Sequence, residues 1–295
     1  MKHIPVLLQP ILDLTPDHSR FGADVTFGRG GHTSALLEKM PQLKIFGIDR
    51  DQAALDYGKE HFSPLIEQNR LELLHADFNE FSDVFRAKIQ PSLPNQGLDF
   101  ILADLGVSSP QLDEGERGFS FYHDGPLDMR MDQSRGTTAA DIVNNTPEPD
   151  LLEIFRLLGE IRDARRVVRA IVNDRVAAPF QSTKQLAGLI ERIEGWHRNG
   201  HHPATRYFLA LRLAVNGELD QVQNAIPNFI QALASRGRLL VITFHSLEDR
   251  IAKVAFKAAL DQGHLVNKKV IQPTWDEQKK NPRARSAKLR VFEKG

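Results

Sequence analysis

The 295-residue chain contains no cysteine. This absence excludes disulfide bonds, thiolate-bound metals and a cysteine nucleophile, and it suits a reducing compartment. The first five residues do not resemble the start of a signal peptide, and no apolar run is long enough to span a membrane. We therefore expect a cytoplasmic protein that has no membrane partner.

The chain also has a formal net charge of zero, because its 38 Lys and Arg residues balance its 38 Asp and Glu residues. A protein that binds nucleic acid through overall basic charge is therefore excluded, although a local basic patch is not. The hydrophobic fraction of 41% is ordinary for a globular protein. A chain of this length can bury a core as one large domain or as two modest ones.

Each of the first four predicted strands ends at glycines or at an acidic residue. The strands are predicted over residues 24–27, 44–49, 71–76 and 98–103. The residues at their ends are Gly28, Gly30 and Gly31, then Asp49, then Asp77 with Phe78, and then Asp104. Ligands bind outside the carboxyl ends of parallel strands. Any one of these residues could serve only as a turn or a cap, but four ends together favour a nucleoside-binding α/β sheet.

The spacing of the glycines separates two classes of nucleoside ligand. A dinucleotide fingerprint needs Gly or Ala three residues after Gly30, where this chain has Thr33. Asp49 lies about 20 residues beyond the glycines and could accept hydrogen bonds from ribose hydroxyls. Asp77 and Phe78 offer an acceptor and a stacking face that suit adenine. The pattern therefore favours S-adenosylmethionine over NAD.

The alternation of strands and helices stops between about residues 115 and 202. A polar, aromatic loop over residues 117–132 precedes apolar residues at helical spacing, so a mostly helical insert is predicted. Gly159 is expected to divide this helical run, and Thr183 is expected to cap a later helix.

The α/β pattern resumes after the insert. We predict two helices that meet near Pro227 and a fifth strand over residues 237–244. His245 follows this strand directly, so it also belongs to the carboxyl edge of the sheet. It could act as a base, contact RNA or form a structural hydrogen bond.

Two clusters in the insert have both a functional and a structural interpretation. Three arginines share one helix face and could either follow phosphates or form a solvated face: Arg162, Arg166 and Arg169. Three histidines lack a positioned carboxylate partner, so no metal site is expected there: His197, His201 and His202.

The end of the chain is locally basic. Four cations fall within eight residues: Arg283, Arg285, Lys288 and Arg290. Such a segment is often only solvated. Here the Asn281-Pro282 turn and the small residues around it predict a shaped loop that could hold phosphates.

Seven longer motifs lie in order along nearly the whole chain. They cover residues 24–32, 48–51, 104–113, 117–121, 124–132, 243–250 and 281–286. The third begins Asp-Leu-Gly-Val-Ser-Ser-Pro-Gln-Leu. Together the motifs closely resemble those of the bacterial small-subunit ribosomal RNA cytidine-N4 methyltransferases, the RsmH family, formerly MraW. Motifs of this length do not agree by chance.

The resemblance implies a Rossmann-like α/β fold, that of the class I S-adenosylmethionine-dependent methyltransferases, with a mostly helical domain inserted. We place the methyltransferase domain at residues 1–114 and 203–295 and an RNA-recognition insert at 115–202. The implied methyl donor is S-adenosylmethionine, and no metal is expected. The donor site carries over to Gly30, Gly31, His32, Asp49, Phe78, Asp104 and Gln111.

The implied substrate is a cytidine in the decoding region of 16S ribosomal RNA, so the expected partner is the small ribosomal subunit. A homodimer is left open. A base that leaves its stack needs an aromatic platform, which Phe119, Phe121 and Tyr122 could provide, or these rings could merely pack the loop. Arg283 and Arg285 are the candidate phosphate contacts.

Asp104 is the candidate catalytic residue. The lone pair of the cytosine N4 amine is delocalised into the ring, and a hydrogen-bond acceptor beside the amine would help it to attack. Asp104 could be that acceptor, or it could hold the donor next to the amine.

Three residues depart from the usual pattern of the resembled family: Leu158, Ile161 and Leu209. A paralogue that methylates a different RNA cytidine is therefore one alternative. The other is a non-catalytic RNA-binding factor in ribosome assembly, against which the acidic strand ends argue. An NAD oxidoreductase is excluded by the glycine spacing.

Overall fold

The protein was analysed as a computed structural model that describes residues 5–94, 96–196 and 202–295. The chain forms two compact units, one of Met1–Gly106 with Leu219–Gly295 and the other of Val107–Glu218. We call them the sheet unit and the helical unit. The boundaries of the two units differ from those of the predicted domains. Residues 107–114 and 203–218, which were predicted to lie in the methyltransferase domain, belong to the helical unit. The assignment of RNA recognition to the insert stays a prediction.

The sheet unit is built on seven strands in the order β3-β2-β1-β4-β5-β7-β6. The strands are β1 Phe21–Asp24, β2 Lys44–Asp49, β3 Leu71–His75, β4 Leu98–Asp104, β5 Leu233–Thr243, β6 Gly263–Leu265 and β7 Lys288–Lys294. Strands β1 to β5 pair in parallel, and β7 runs antiparallel to both β5 and β6. The predicted Rossmann-like α/β fold is confirmed.

A helix precedes β1, and the others follow between the strands or belong to the helical unit. They are α1 Leu8–Leu14, α2 Gly31–Lys39, α3 Gln52–His61, α4 Ser63–Glu67, α5 Phe81–Val84, α6 Ser109–Asp113, α7 Ala139–Asn145, α8 Glu148–Leu157, α9 Arg165–Ala177, α10 Thr183–Glu194, α11 Thr205–Asn216, α12 Glu218–Ala232, α13 Ser246–Ala258 and α14 Trp275–Lys280. Within the described part of the chain, no helix has the length and apolar character needed to cross a membrane.

Strand β4 shows why the central strands read as continuous apolar runs. Phe100 and Leu102 are fully buried in one apolar cluster, while Ile101 and Ala103 are buried in another. Successive side chains of a strand point to opposite faces, so both faces of the sheet are covered. Each large side chain buried in this way contributes about 1.5–3 kcal/mol. These layers hold the carboxyl ends of the strands in a fixed register.

The helical unit packs the apolar faces of its helices around a core of its own. Leu151 and Phe155 lie one turn apart on α8 and are both fully buried, as is Ile171 of α9. Gly159 lies between α8 and α9, so the predicted break in this run is confirmed.

Two predicted helix boundaries are wrong. The cap of α10 is Ser182 rather than Thr183, because the Ser182 hydroxyl accepts the Gln185 N–H and the Gln185 side chain accepts the Ser182 N–H. Helices α11 and α12 meet at Gly217, which has a φ of 57°, and not at Pro227, which lies inside α12. Glycine ends a helix in this left-handed conformation at no steric cost.

The Asn216 side chain joins the end of α11 to the loop before α7. Its oxygen accepts the Met131 N–H at 2.9 Å, and its nitrogen donates to the carbonyls of Met129 at 2.8 Å and Arg212 at 2.9 Å. Asn216 is only 4% exposed, so water cannot replace these bonds easily.

We predict that Asn216→Ala lowers the free energy of unfolding by about 2–4 kcal/mol, because it leaves buried backbone groups without partners. Urea unfolding followed by circular dichroism measures this loss. Asn228→Ala is the matched control, since that side chain is only partly buried and donates to the Asn224 carbonyl of its own helix. Equal stability of the two variants would show that the Asn216 contacts are unimportant.

Candidate functional site

Three carboxylates lie at the carboxyl ends of neighbouring strands in the sheet unit. Asp24 ends β1 and pairs in register with Gly47 of β2 and Leu102 of β4. Asp49 and Asp104, which end those two strands, therefore each lie two residues further along the sheet. Asp24 is set back between them and is only 2% exposed. This is the edge at which an open α/β sheet binds ligands.

Asp24 is a site residue that the sequence analysis missed. Its Oδ2 accepts the Thr33 hydroxyl at 2.7 Å, and its Oδ1 accepts the Thr26 N–H at 3.2 Å. Burial raises the pKa of Asp24, while the hydrogen bond from Thr33 acts in the opposite direction. The residue was missed because the first strand was predicted over 24–27, whereas it ends at Asp24. An acidic residue within an apolar run was the available signal.

The structure brings the predicted residues His32 and Asp104 together. Nε2 of His32 lies 3.5 Å from Oδ2 of Asp104, and the Asp104 N–H donates to the Thr26 hydroxyl at 2.7 Å. Both ring nitrogens of His32 and Oδ1 of Asp104 are buried and have no hydrogen-bond partner among the described residues. Buried polar atoms without partners are costly, so these atoms are suited to bind a polar ligand.

Gly30 and Gly31 are required by packing within the protein itself. Gly30 has a φ of 67° where α2 begins, and a Cβ there would lie 2.6 Å from the Phe62 ring. A Cβ on Gly31 would lie 2.6 Å from Pro5. Side chains at these positions would have to displace their neighbours. Contact between this turn and the donor stays a prediction.

Asp49 holds the glycine turn with its carboxylate. Its Oδ2 accepts the Gly28 N–H at 2.7 Å, and its Oδ1 accepts the Asp51 N–H at 2.8 Å. Each carboxylate oxygen has a second lone pair, so both can also accept a ribose hydroxyl. Burial raises the pKa of Asp49 to about 6.

Phe78 follows the end of β3, as predicted, and is partly buried. One edge contact is with Phe229, whose ring centroid lies 5.6 Å away at an interplanar angle of 89°. The Asp77 carboxylate accepts the backbone N–H groups of Asn79 and Glu80, so it shapes the turn that carries Phe78. The adenine role of Phe78 stays a prediction.

Three predicted residues belong to the helical unit. Gln111 is buried and its side-chain oxygen accepts the Ser108 N–H at 2.9 Å, which caps α6. Phe119 is 7% exposed and lies in the core of this unit, so its ring offers no open face to a base. Phe121 is partly exposed and stacks obliquely on His202, with ring centroids 4.4 Å apart. The Phe121 ring also contacts Phe208 at a centroid distance of 4.9 Å, so it packs the loop against the core, and a stacking role for either phenylalanine stays a prediction.

His245 is the N-cap of α13. Of the three roles considered for it, base, RNA contact or structural hydrogen bond, this corresponds to the third. Its Nδ1 accepts the Glu248 N–H at 3.4 Å. Its Nε2 lies 3.0 Å from Oε1 of Glu248 but lacks the geometry of a hydrogen bond. Glu248 is buried and accepts the Phe244 N–H at 2.9 Å, so it fixes the turn after β5.

The predicted basic loop is a short turn at Pro282–Ser286. The Asn281 side chain accepts the Arg283 N–H at 3.2 Å, and Ala284 is buried beneath the turn. Arg283 and Arg285 are exposed on either side of this alanine. Their neighbours Lys288 and Arg290 instead bind Asp249, at 3.1 and 2.8 Å.

The prediction that three arginines of the insert share one helix face is wrong, because Arg162 lies before α9 begins. All three are exposed, with Arg166 bound to the Ile193 carbonyl at 3.0 Å and Arg169 3.7 Å from Glu148. His197 and His201 lie outside the described residues. Among the residues that are described, no group of His, Asp and Glu could hold a metal ion.

Comparison with known proteins finds relatives that match nearly the whole chain. Residues 1–295 match the MraW methylase family. The protein called ribosomal RNA small subunit methyltransferase H in Bdellovibrio bacteriovorus is 52% identical, over 99% of this chain and 88% of its own. Proteins of the same name are 43% identical in Sinorhizobium fredii and 44% identical in Synechococcus elongatus. They match 99% of this chain and 87% and 94% of their own lengths.

The raised pKa of Asp49 predicts how stability depends on pH. A carboxyl group that holds its proton more tightly when folded stabilises the protein at low pH, and this contribution is lost as the pH rises from about 4 through about 6. We expect the unfolding free energy of the wild type, relative to Asp49→Asn, to fall by about 2 kcal/mol over this window.

Urea unfolding of both proteins across this pH range measures the difference. Asp83→Asn is the control, because Asp83 is exposed on α5. Parallel stability curves for the wild type and Asp49→Asn would contradict the prediction.

Proposed function

Because the chain belongs to the MraW methylase family, we propose that it is a cytoplasmic enzyme that methylates the N4 amine of a cytidine in 16S ribosomal RNA. The small ribosomal subunit is the proposed partner, and the decoding region is the proposed location of the target. Whether the protein forms a homodimer is left open, and sedimentation can decide it. The observation that carries the proposal is the contact of the buried His32 side chain with the partly exposed Asp104 carboxylate, at the edge of the sheet where ligands bind.

The residues at this edge fit S-adenosylmethionine. The donor carries hydroxyl, amino and carboxylate groups, and the edge offers polar atoms of His32 and Asp104 that have no partner among the described residues. Asp49 would accept the ribose hydroxyls, and Phe78 would lie against the adenine. Gly30 would bring its backbone close to the donor. When bound, S-adenosylmethionine supplies a methyl group on a positively charged sulfur.

His32, Asp104 and Gln111 complete the proposed assignment. His32 would position the Asp104 carboxylate from the Oδ2 side, which leaves Oδ1 to accept a hydrogen from the cytosine amine. That hydrogen bond would concentrate the lone pair on nitrogen, which would bond to the methyl carbon as the bond between that carbon and sulfur breaks to leave a neutral thioether. The excess proton on nitrogen would pass to the Asp104 carboxylate and from there to water. Alignment of reacting groups contributes several kcal/mol to such displacements. Gln111 is assigned to the donor site by the family motif that it shares with Asp104.

Two groups are proposed to bind the RNA. Phe121 and Tyr122 would stack on the displaced base, since Phe121 is partly exposed and Tyr122 is 72% exposed. Arg283 and Arg285 would contact phosphates from the turn at the end of the chain. Phe119 could stack on a base only if its loop moved to expose the ring, which is buried in this structure.

We predict that Asp104→Ala lowers the rate of methyl transfer about 10²–10⁴-fold, as expected when the group that accepts the proton of the reacting amine is lost. Asp104→Asn should be similarly impaired, because the amide matches the shape but is a weaker acceptor. The assay is methyl incorporation into unmodified small subunits, followed by mass spectrometry of the RNA.

Asp83→Ala controls for the loss of an exposed carboxylate. Transfer at near the wild-type rate by Asp104→Ala would remove that residue from the mechanism. A methyl group on a different cytidine would identify the enzyme as a paralogue. No methyl group at all, with intact RNA binding, would indicate an assembly factor.

The double variant Arg283→Ala with Arg285→Ala should bind RNA more weakly and with a flatter salt dependence. Affinity for S-adenosylhomocysteine should not change, because these side chains belong to the exposed terminal turn. RNA binding across a salt titration measures the first effect, and calorimetry measures the second. An unchanged salt slope would exclude contact between these arginines and phosphates.

A further inference from the structure

Positive charge is concentrated near the end of the chain, although the chain as a whole has no net charge. Residues 275–290 contain six Lys and Arg against two Asp and Glu. Lys279, Lys280 and Arg285 are all exposed, and none of them forms an ion pair with a described carboxylate. These three side chains therefore give this part of the surface a positive charge that no described carboxylate neutralises by an ion pair, whereas Lys288 and Arg290 are paired with Asp249.

The segment that carries these charges is firmly anchored. Thr274 caps α14 by accepting the Glu277 N–H, and Glu277 in turn accepts the Leu7 N–H at 2.6 Å. Helix α14 packs against the turn at Pro282–Ser286, whose residue Ala284 is fully buried. The exposed side chains of this segment thus project from a fixed backbone, which lowers the entropic cost of binding.

The same helix begins with an exposed aromatic residue. Trp275 is 71% exposed, although tryptophan is usually well buried. Nζ of Lys279 lies 5.2 Å from the centroid of its ring, a distance suited to a cation–π contact. Because Lys279 covers little of Trp275, most of the indole remains open to solvent.

We propose that Trp275, Lys279, Lys280, Arg283 and Arg285, which we call the basic face, bind single-stranded RNA, with Trp275 stacked on an unpaired base. This inference rests on the proposed function and adds Trp275 and the two lysines to the recognition of the RNA. An exposed aromatic ring among cations suits a chain that alternates bases with phosphates. Single strands are favoured over duplexes because only unpaired bases expose their faces.

The first test uses the fluorescence of Trp275. The chain contains two tryptophans, so Trp196→Phe leaves Trp275 as the sole indole. Titration with oligoadenylate should quench its emission, and the quenching should saturate together with binding measured by anisotropy. An RNA duplex of equal length should quench less. Binding of the single strand without any change in emission would overturn the proposal.

The second test uses substitution within the full-length protein. Trp275→Ala should weaken the binding of oligoadenylate about tenfold, and Trp275→Phe should retain most of the affinity. Lys279→Gln with Lys280→Gln should lower the slope of log affinity against log salt by about 1.4. Lys253→Gln with Lys257→Gln is the matched control, since it removes two exposed lysines from α13. Wild-type binding by Trp275→Ala would overturn the stacking role.

Methylation of small subunits separates this inference from the proposed function. If the wild type methylates the subunits and Trp275→Ala does so with an unchanged KM, the basic face fails and the proposed function stands. If RNA quenches Trp275 but no methyl group is transferred, the basic face binds RNA and the proposed function fails. Quenching by ribosomal proteins and not by RNA would identify a protein contact and overturn the inference.

Discussion

The side chain of Thr26 holds the edge of the sheet together. Its hydroxyl accepts the Asp104 N–H at 2.7 Å and lies 3.4 Å from Oδ1 of Asp24, to which it can donate. A hydroxyl group can do both because it has one hydrogen and two lone pairs. Thr26 therefore couples the end of β1 to the end of β4. The position of the Asp104 carboxylate beside His32 depends on this coupling.

The carboxylates of this edge differ in what they do for the protein. Asp24 is buried and binds side chains and backbone of its own loop, and Asp49 organises the glycine turn. Burial raises the pKa of both, which means that each opposes folding at neutral pH relative to a solvated carboxylate. Only Asp104 keeps a buried oxygen without a partner among the described residues. The carboxylates of Asp24 and Asp49 thus organise the loops at this edge, and Asp104 alone of the three has an oxygen left over for a ligand, which agrees with its proposed role.

The central strands and their acidic ends were predictable from the sequence, because buried parallel strands are apolar runs that stop where polar residues begin. The end of β1 was not, since Val25 and Phe27 are buried in the turn and look like strand residues. Gly217 and Pro227 are both helix breakers, and only the backbone shows which one acts. Ser182 and Thr183 are both suitable N-cap residues, so here too only the backbone shows which of them caps α10.

The functional residues divide in a similar way. The meeting of His32 and Asp104 follows from the strand order, but their unpartnered atoms depend on packing that no pattern reveals. Phe119 and Phe121 lie two residues apart in one loop, and only the structure shows that Phe119 is buried. Nothing in the sequence singles out Trp275, because its proposed role rests on its exposure, which only the structure shows.

The helical unit interrupts the sheet between two adjacent strands, and this has a consequence for synthesis on the ribosome. Leu98 of β4 pairs with Leu233 of β5, so the whole of the helical unit is translated between the two partners. Until β5 emerges, the apolar strand β4 has one unpaired edge, and such edges invite association with other chains. A helical unit that folds early and compactly shortens the effective loop and lowers the entropy lost when β5 docks. The length and folding of the helical unit therefore also influence how long the edge of β4 stays unpaired during synthesis.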